Sequence, residues 1–163
     1  MTEVVFRPLH ATDAPAIQAV ALEAWRYTYR DIYNPQFIEN FVAGNYSPQA
    51  ILALLPRIAA GQMFFQLAVR GDQILGFCNI AVSEQNAQLL RIYLLPSQIG
   101  QGLGRKLLGL GETFIRNHEL PKYFCFVHKD NQIGKRFYLR NGFQHVIEKD
   151  HEDEWFMEKQ LSK

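Results

Sequence analysis

Long apolar runs, cysteine clusters and a surplus of charge of either sign are all missing from this chain, and each absence closes off a class of function. No apolar stretch approaches the about 20 residues that cross a bilayer. The start, Met1-Thr2-Glu3-Val4-Val5-Phe6-Arg7-Pro8, lacks the basic opening and long apolar core of a secretory leader. A cytoplasmic location without a membrane partner is therefore expected. Lys plus Arg number 17 against 16 Asp plus Glu, a net charge of +1, which makes no electrostatic case for a nucleic-acid partner. The two cysteines, Cys78 and Cys125, each fall in a strand-like run without a Cys-x-x-Cys pair or His-rich spacing. They are expected to be buried thiols in a reducing compartment, not metal ligands or nucleophiles. No repeat, low-complexity tract or linker divides the 163 residues, so residues 1–163 are expected to form one domain.

What is present is a globule-forming composition, 48% hydrophobic and 13% aromatic. The stretch that organises it runs from Leu89 to Leu108: an apolar strand, Pro96, then Gly100, Gly102 and Gly104 opening a helix. A strand-to-helix turn stripped of side chains can aim several backbone N–H groups at one point, where the positive end of the helix dipole also lies. That suits a pyrophosphate. Arg105 and Lys106 add positive charge in the first helical turn, which is unfavourable to the helix alone and sensible beside an anion. The alternative is a turn that only reverses the chain. Two other phosphate loops are excluded. No Ser or Thr follows the basic pair, as the P-loop requires, and the dinucleotide pattern needs glycine where Arg105 or Leu107 stands.

Periodicity predicts the remaining elements. A short strand covers 3–9. A helix over about 13–30 has Thr12 and Asp13 as its cap and Pro15 in its first turn. A short helix over 35–42 is broken by Gly44-Asn45, and Ser47-Pro48 starts another that stops at Gly61. Strands follow over 63–70 and 73–83, joined by Gly71-Asp72, then over 88–95. The helix over about 102–118 has a core stripe of Leu103, Leu107, Leu110 and Phe114, and close packing is the reason offered for Gly109 and Gly111 inside it. A strand over 122–128, a helix over 131–141 and a hairpin of 143–149 with 154–161 complete the chain. Hairpins mixed with helical crossovers predict an α/β (α+β) fold, a mixed sheet with helices on both faces.

The last helix places Asn131, Gly134 and Tyr138 on one face. Read singly they are a cap, a poor helix residue and a half-buried phenol. Together, Leu94-x-Pro96-x-x-x-Gly100-x-Gly102-x-Gly104 and Asn131-x-x-Gly134-x-x-Phe137-Tyr138-x-x-x-Gly142-Phe143 resemble the GNAT superfamily of N-acetyltransferases over nearly the whole chain. The resemblance implies a mostly antiparallel sheet of about seven strands, acetyl-CoA as co-substrate and no metal. It implies that the amides of Gln101, Gly102, Leu103, Gly104 and Arg105 bind the pyrophosphate. The strand ending at Tyr93-Leu94 would pair with the pantetheine arm, the amide near Leu94 would polarise the thioester, and Asn131 would contact the pantetheine. Tyr138 would protonate the leaving thiolate. Ile99 departs from the usual Gln or Arg that opens the loop, and Gly134 stands where alanine is commoner.

Acyl transfer to an amine needs a free lone pair, donors for a developing oxyanion and a proton for the sulfur. Without a well-placed cysteine, direct transfer in a ternary complex is expected. Glu84 is the first candidate base, with Asp150, Glu152 and Glu154 as others. The first helices and the last hairpin usually frame the acceptor in this family. Here they offer Trp25, Tyr29 and Tyr33 with His151, Glu152, Asp153 and Glu154, a set that suits a small-molecule cation such as a polyamine. Trp25-x-x-Thr28-Tyr29 and Leu90-Arg91-Ile92-Tyr93 are similar to the bacterial spermidine/spermine branch. An aminoglycoside, an amino acid, another small amine or a protein N-terminus stays open as acceptor, as does a non-catalytic acyl-CoA sensor. Monomer and homodimer are equally open.

Overall fold

The computed structural model describes residues 2–162. One seven-stranded sheet runs in the order β1-β2-β3-β4-β5-β7-β6. β1 is Val4–Pro8, β2 Met63–Arg70, β3 Gln73–Val82, β4 Ala87–Leu94, β5 Lys122–His128, β6 Gln144–His145 and β7 Glu154–Gln160. All neighbours are antiparallel except β4 and β5, which are parallel and share one backbone pair, Gln88 with Phe124. The helices are α1 Ala14–Thr28, α2 Pro35–Asn45, α3 Pro48–Leu52, α4 Leu55–Ala59, α5 Leu103–Asn117 and α6 Gln132–Arg140. Among the described residues no helix is long and apolar enough to cross a membrane.

β2 and β3 are buried on both faces, and alternation sends successive side chains to opposite helical layers. Phe65 and Phe77 stack at 5.6 Å on the side where Tyr46, just past α2, meets Phe77. Phe64 and Ile80 face the other side, against Phe114 and Gly111 of α5. A Cβ on Gly111 would come within 2.4 Å of Ile80 Cδ1, so this glycine is where α5 lies closest to the sheet. Gly109 has open space around it, so close packing explains only one of the pair.

Several expected boundaries shift. α2 runs through Gly44 to Asn45, because its buried Ile38 and Val42 and the bond from Tyr46 N–H to Val42 carry the last turn. The helix after Ser47 is two short helices, because Pro56 has no N–H to give to Leu52. The buried stripe of α5 is Leu103, Leu107, Leu108 and Ile115, whereas Leu110 is 41% exposed. β6 is only two residues long and passes into a 3-10 turn at Ile147–Lys149. Ser47 and Asn34 cap their helices through Ala50 N–H and Phe37 N–H. Asp13 does not cap α1. Its carboxylate accepts two bonds from Arg7 (2.8 and 2.9 Å) and one from His10 N–H.

Two ion pairs tie the periphery to the sheet. The nearly buried Glu112 of α5 accepts from Tyr123 Oη at 2.6 Å and Lys159 Nζ at 2.7 Å, linking α5 to β5 and β7. Glu112→Ala should leave Lys159 and the Tyr123 hydroxyl without their acceptor and destabilise by about 2–4 kcal/mol, read as a lower denaturant midpoint at unchanged slope. Arg7 holds the Asp13 carboxyl below its usual range. A depressed carboxyl contributes stability above its unfolded pKa and loses it as pH falls through the folded value. Asp13→Asn should therefore cost about 1–3 kcal/mol at pH 7, and the difference from the parent should shrink below about pH 4.

Candidate active site

β4 and β5 separate beyond their one shared pair, and the gap between them is a cleft of about 400 Å3. Within an antiparallel pair, neighbouring N–H groups point to opposite edges of the strand. Leu95 N–H donates to Leu75 O at 2.8 Å on the β3 side, so the Leu94 N–H faces the cleft. A bulge in β4 at Leu90, where Asn79 pairs with Arg91 and Ile80 with Leu89, bends the strand further from β5. Of the residues expected from the sequence, Tyr93, Leu94, Gly104, Asn131 and Tyr138 line this cleft, as does Ile99.

The glycine-rich turn closes one end. Gly100 and Gly102 hold φ of 86° and 84°, a left-handed backbone that other residues adopt at a cost. Gly104 answers a different need, because a Cβ there would stand 2.9 Å from Phe137 Cε1 of α6. Among the described residues, the amides of Gln101, Gly102, Leu103, Gly104 and Arg105 donate to no protein acceptor. The first such bond in α5 is from Lys106 N–H to Gly102 O. Leu103 can offer only its amide, since its side chain is in the core. Gln101 turns its side chain back to Ser97 O. Asn131, 6% exposed, caps α6 by accepting from Gly134 N–H at 2.8 Å. The space beside Gly134 is filled by Asn131 and Val127, so the glycine serves this cap as well as the cleft.

Tyr138 projects from the middle of α6 into the cleft. It keeps some solvent exposure along its ring, and its edge packs on Phe143. Desolvation, reinforced by Cys125 and neighbouring phenols, pushes its pKa well above 10, so it stands as a protonated donor at neutral pH. Burial also raises the Cys78 and Cys125 thiols, which suits neither to nucleophilic work.

A second cleft, of about 480 Å3, opens on the α1 side of β4. α1 presents Trp25 and Tyr29 one turn apart, and Tyr33 follows on the turn that closes with Tyr33 N–H on Tyr29 O. Trp25 packs at 4.2 Å from both Tyr29 and Phe41. Glu152, Asp153 and Glu154 from the last hairpin also line it. All four residues expected to hold the acceptor, Trp25, Tyr29, Tyr33 and Glu152, line this one cleft. Burial raises the Tyr33 phenol, with Glu154 and Asp153 adding to it. The two clefts meet at Tyr29, Leu90, Arg91, Tyr93 and Phe126, which line both. There Tyr29 and Tyr93 share a hydrogen bond of 3.0 Å, and burial pushes Tyr29 up to about 12.

Two expected bases do not join the site. Glu84 is exposed in the β3–β4 turn, at the end of β4 away from Leu94, and lines neither cleft. Asp150 is committed to structure, accepting from Phe156 N–H and bonded to His145 Nε2. Periodicity placed Glu84 in the turn between the third and fourth strands, but not how far that turn lies from the clefts. The sequence reading gave no site role to several residues that the fold brings in, although it quoted Arg91 in the run before the glycine turn. Arg91, Tyr46 and His128 line the second cleft, and Arg136 and Arg140 line the first. A charged residue inside the apolar run 89–95 was the available signal for Arg91.

The family model described as Acetyltransferase (GNAT) family matches residues 25–143. A spermidine N(1)-acetyltransferase of Thermoplasma acidophilum is 29% identical over 157 residues, 96% of each chain. The crystal structure of PaiA N-acetyltransferase from Thermoplasma acidophilum in complex with coenzyme A superposes with a TM-score of 0.92 at 27% identity, over 98% of this chain and 99% of that one. Ard1 from Thermoplasma volcanium, at 16% identity and a TM-score of 0.72 over 98% and 99% of the two chains, shares the fold. The matched region runs from Trp25 on the wall of the second cleft, through the glycine turn, to Phe143 behind Tyr138, and the chain belongs to the acetyltransferase (GNAT) family.

Proposed function

We propose that the protein transfers an acetyl group from acetyl-CoA to a primary amine of a small, multiply charged cation of the polyamine class. The observation that carries this reading is the junction at Tyr29 and Tyr93, where a cleft floored by unpaired backbone meets one that is aromatic on one side and acidic on the other. Residues 1–163 act as a single catalytic domain in the cytoplasm, as a monomer or homodimer, without a nucleic-acid or membrane partner. The coenzyme-A complex of the Thermoplasma PaiA enzyme and the spermidine activity named for its Thermoplasma relative support the choice of both substrates.

Acetyl-CoA fits the first cleft by its chemistry. Its pyrophosphate suits the free amides of residues 101–105 and the positive end of α5. Its pantetheine amides suit the unpaired edge of β4, as an added strand would, with Asn131 beside it. The thioester carbonyl then meets the Leu94 N–H, a donor already aimed and needing no reorganisation. The amine approaches from the second cleft, its distal ammonium beside Glu152 and Glu154 and its chain along Trp25, Tyr29 and Tyr33. Its lone pair forms the C–N bond as the C–S bond breaks. Tyr138 gives its proton to the sulfur, and the nitrogen releases its surplus proton to water.

Acetyl-CoA at about 100 times its Kd should stabilise the native state by about 2.7 kcal/mol, a rise in Tm of about 5–10 °C for a chain of this size. Thiol release should then depend on an added amine, with spermidine turned over faster than a monoamine of equal length. No thermal shift, or no amine-dependent release, refutes the assignment. Tyr138→Phe should lower kcat by about 100-fold or more while leaving the acetyl-CoA shift in place. Because the Tyr138 phenol titrates well above 10, the parent kcat should show no alkaline loss from this group up to about pH 10.

A further inference from the structure

Arg91 is a cation on the floor of a cleft read as binding cations. It reaches the junction of the two clefts and lines both. Its Nη1 donates to Asn79 Oδ1 at 2.6 Å, and its guanidinium lies 5.2 Å from the Tyr46 ring centroid. Asn79 is fully buried on β3 and is itself held by donating to Phe64 O at 3.0 Å. The guanidinium is thus anchored by a neutral amide and a neutral ring. No carboxylate lies within 4.0 Å of it among the described residues.

An aspartate at position 79 would anchor the same fork and cancel its charge; the chain has asparagine. The phenols around the floor cannot cancel it either. Burial raises Tyr29 just past α1, Tyr46 beyond α2 and Tyr93 of β4, so all three stay neutral at working pH. The remaining titratable groups of this cleft are His128 at the end of β5, Tyr33 and the rim carboxylates, of which Asp153 is paired with Lys129 at 3.0 Å. The cleft therefore carries a cation on β4 with no carboxylate within 4.0 Å among the described residues and a group of carboxylates on the last hairpin.

We propose that Arg91 is a positioning residue that keeps the reacting nitrogen of the bound polyamine unprotonated, by making the junction a poor place for an ammonium while the acidic rim holds the distal one. This rests on the amine-acetyltransferase reading above. It also accounts for a site in which neither Glu84 nor Asp150 stands near the reacting atoms. The ammonium loses its proton to water on entering the junction, and the free lone pair then attacks the thioester carbonyl. The C–S bond breaks as Tyr138 protonates the sulfur, the second proton of the nitrogen passes to solvent, and the Tyr138 phenolate takes a proton back from solvent. A like charge nearby disfavours the protonated form by about one to two pKa units when it is partly desolvated.

The test is the pH dependence of kcat at saturating spermidine, which reports ionisations of the enzyme–substrate complex. In the parent enzyme the acidic limb should lie at least about one unit below the amine's solution pKa; a limb at the solution pKa overturns the proposal without any variant. Arg91→Gln should move that limb upward by about one to two units. Its kcat should then fall about 10- to 100-fold near pH 7 and rejoin the parent above the amine's own pKa. Arg91→Lys, which keeps the charge, should keep the parent limb, and the acetyl-CoA thermal shift of each variant reports that it is folded. In a His128→Gln background the Arg91-dependent displacement should persist. An Arg91→Gln loss that is equal at every pH, or an Arg91→Lys limb displaced as far as that of Arg91→Gln, makes Arg91 structural and overturns the proposal. A parent enzyme that releases no thiol with any amine overturns the functional reading and this one with it. A parent that turns over with an Arg91→Gln profile superimposed on its own overturns this one alone.

Discussion

β4 and β5 are joined through one parallel backbone pair, Gln88 with Phe124, and diverge from there. A sheet that stayed paired along this line would bury its ladder and leave no site. Because it does not, β4 presents an unsatisfied edge inside the protein, and buried backbone donors require partners. An extended ligand carrying its own amides is the natural one. α5 covers the sheet beside this gap and opens on the glycine turn, so the free amides of its first turn stand at the end of the same cleft. α6 forms another wall and carries Tyr138. The Glu112 link to Tyr123 and Lys159 holds α5 to β5 and β7 in the far half of the sheet.

The second cleft depends on the same strand. Residues of β4 alternate between its two sides, and the bulge at Leu90 sets which side chain faces which cleft beyond it. Tyr93 reaches Tyr29 just past α1, and Arg91 reaches Asn79 and Tyr46. The aromatic wall is a continuation of the core: Trp25, Tyr29 and Tyr46 are all buried, so the surface on which an acceptor would lie is rigid. The acidic rim comes from a hairpin tip that shares only its position in space with that wall. Arg91 of β4 and the carboxylates of the hairpin thus come from different elements and line one cleft.

Much of this arrangement was legible from local signals. Alternation placed β2 and β3, aromatic content after Pro121 placed β5, and Ser47-Pro48 and Asn131 announced helix starts that the side-chain caps bear out. The glycine turn is a local feature in the same sense: Gly100 and Gly102 are needed for their own backbone angles, whatever surrounds them. The signals that misled were those whose meaning depends on a distant partner. Asp13 reads as a cap until Arg7 takes its carboxylate. Leu110 sits at helical spacing with Leu103, but α5 turns Leu108 and Gly111 to the sheet instead, because Ile80 lies where only a glycine fits.

The sequence by itself determined the elements, the glycine-rich turn and the phenol on α6, because each of these is written in a short stretch of chain where spacing alone sets which groups share a face, and the order of two such stretches carried the family resemblance. It also named the aromatic and acidic residues of the second cleft without being able to show that they face one another. Tertiary structure alone decided that Glu84 and Asp150 lie away from the junction and that an uncancelled Arg91 lies in it. The reason is physical. Which strand end lies beside a cleft, and which charges line that cleft with it, follow from strand order and from the place where β4 and β5 part, and neither is a local property of the chain.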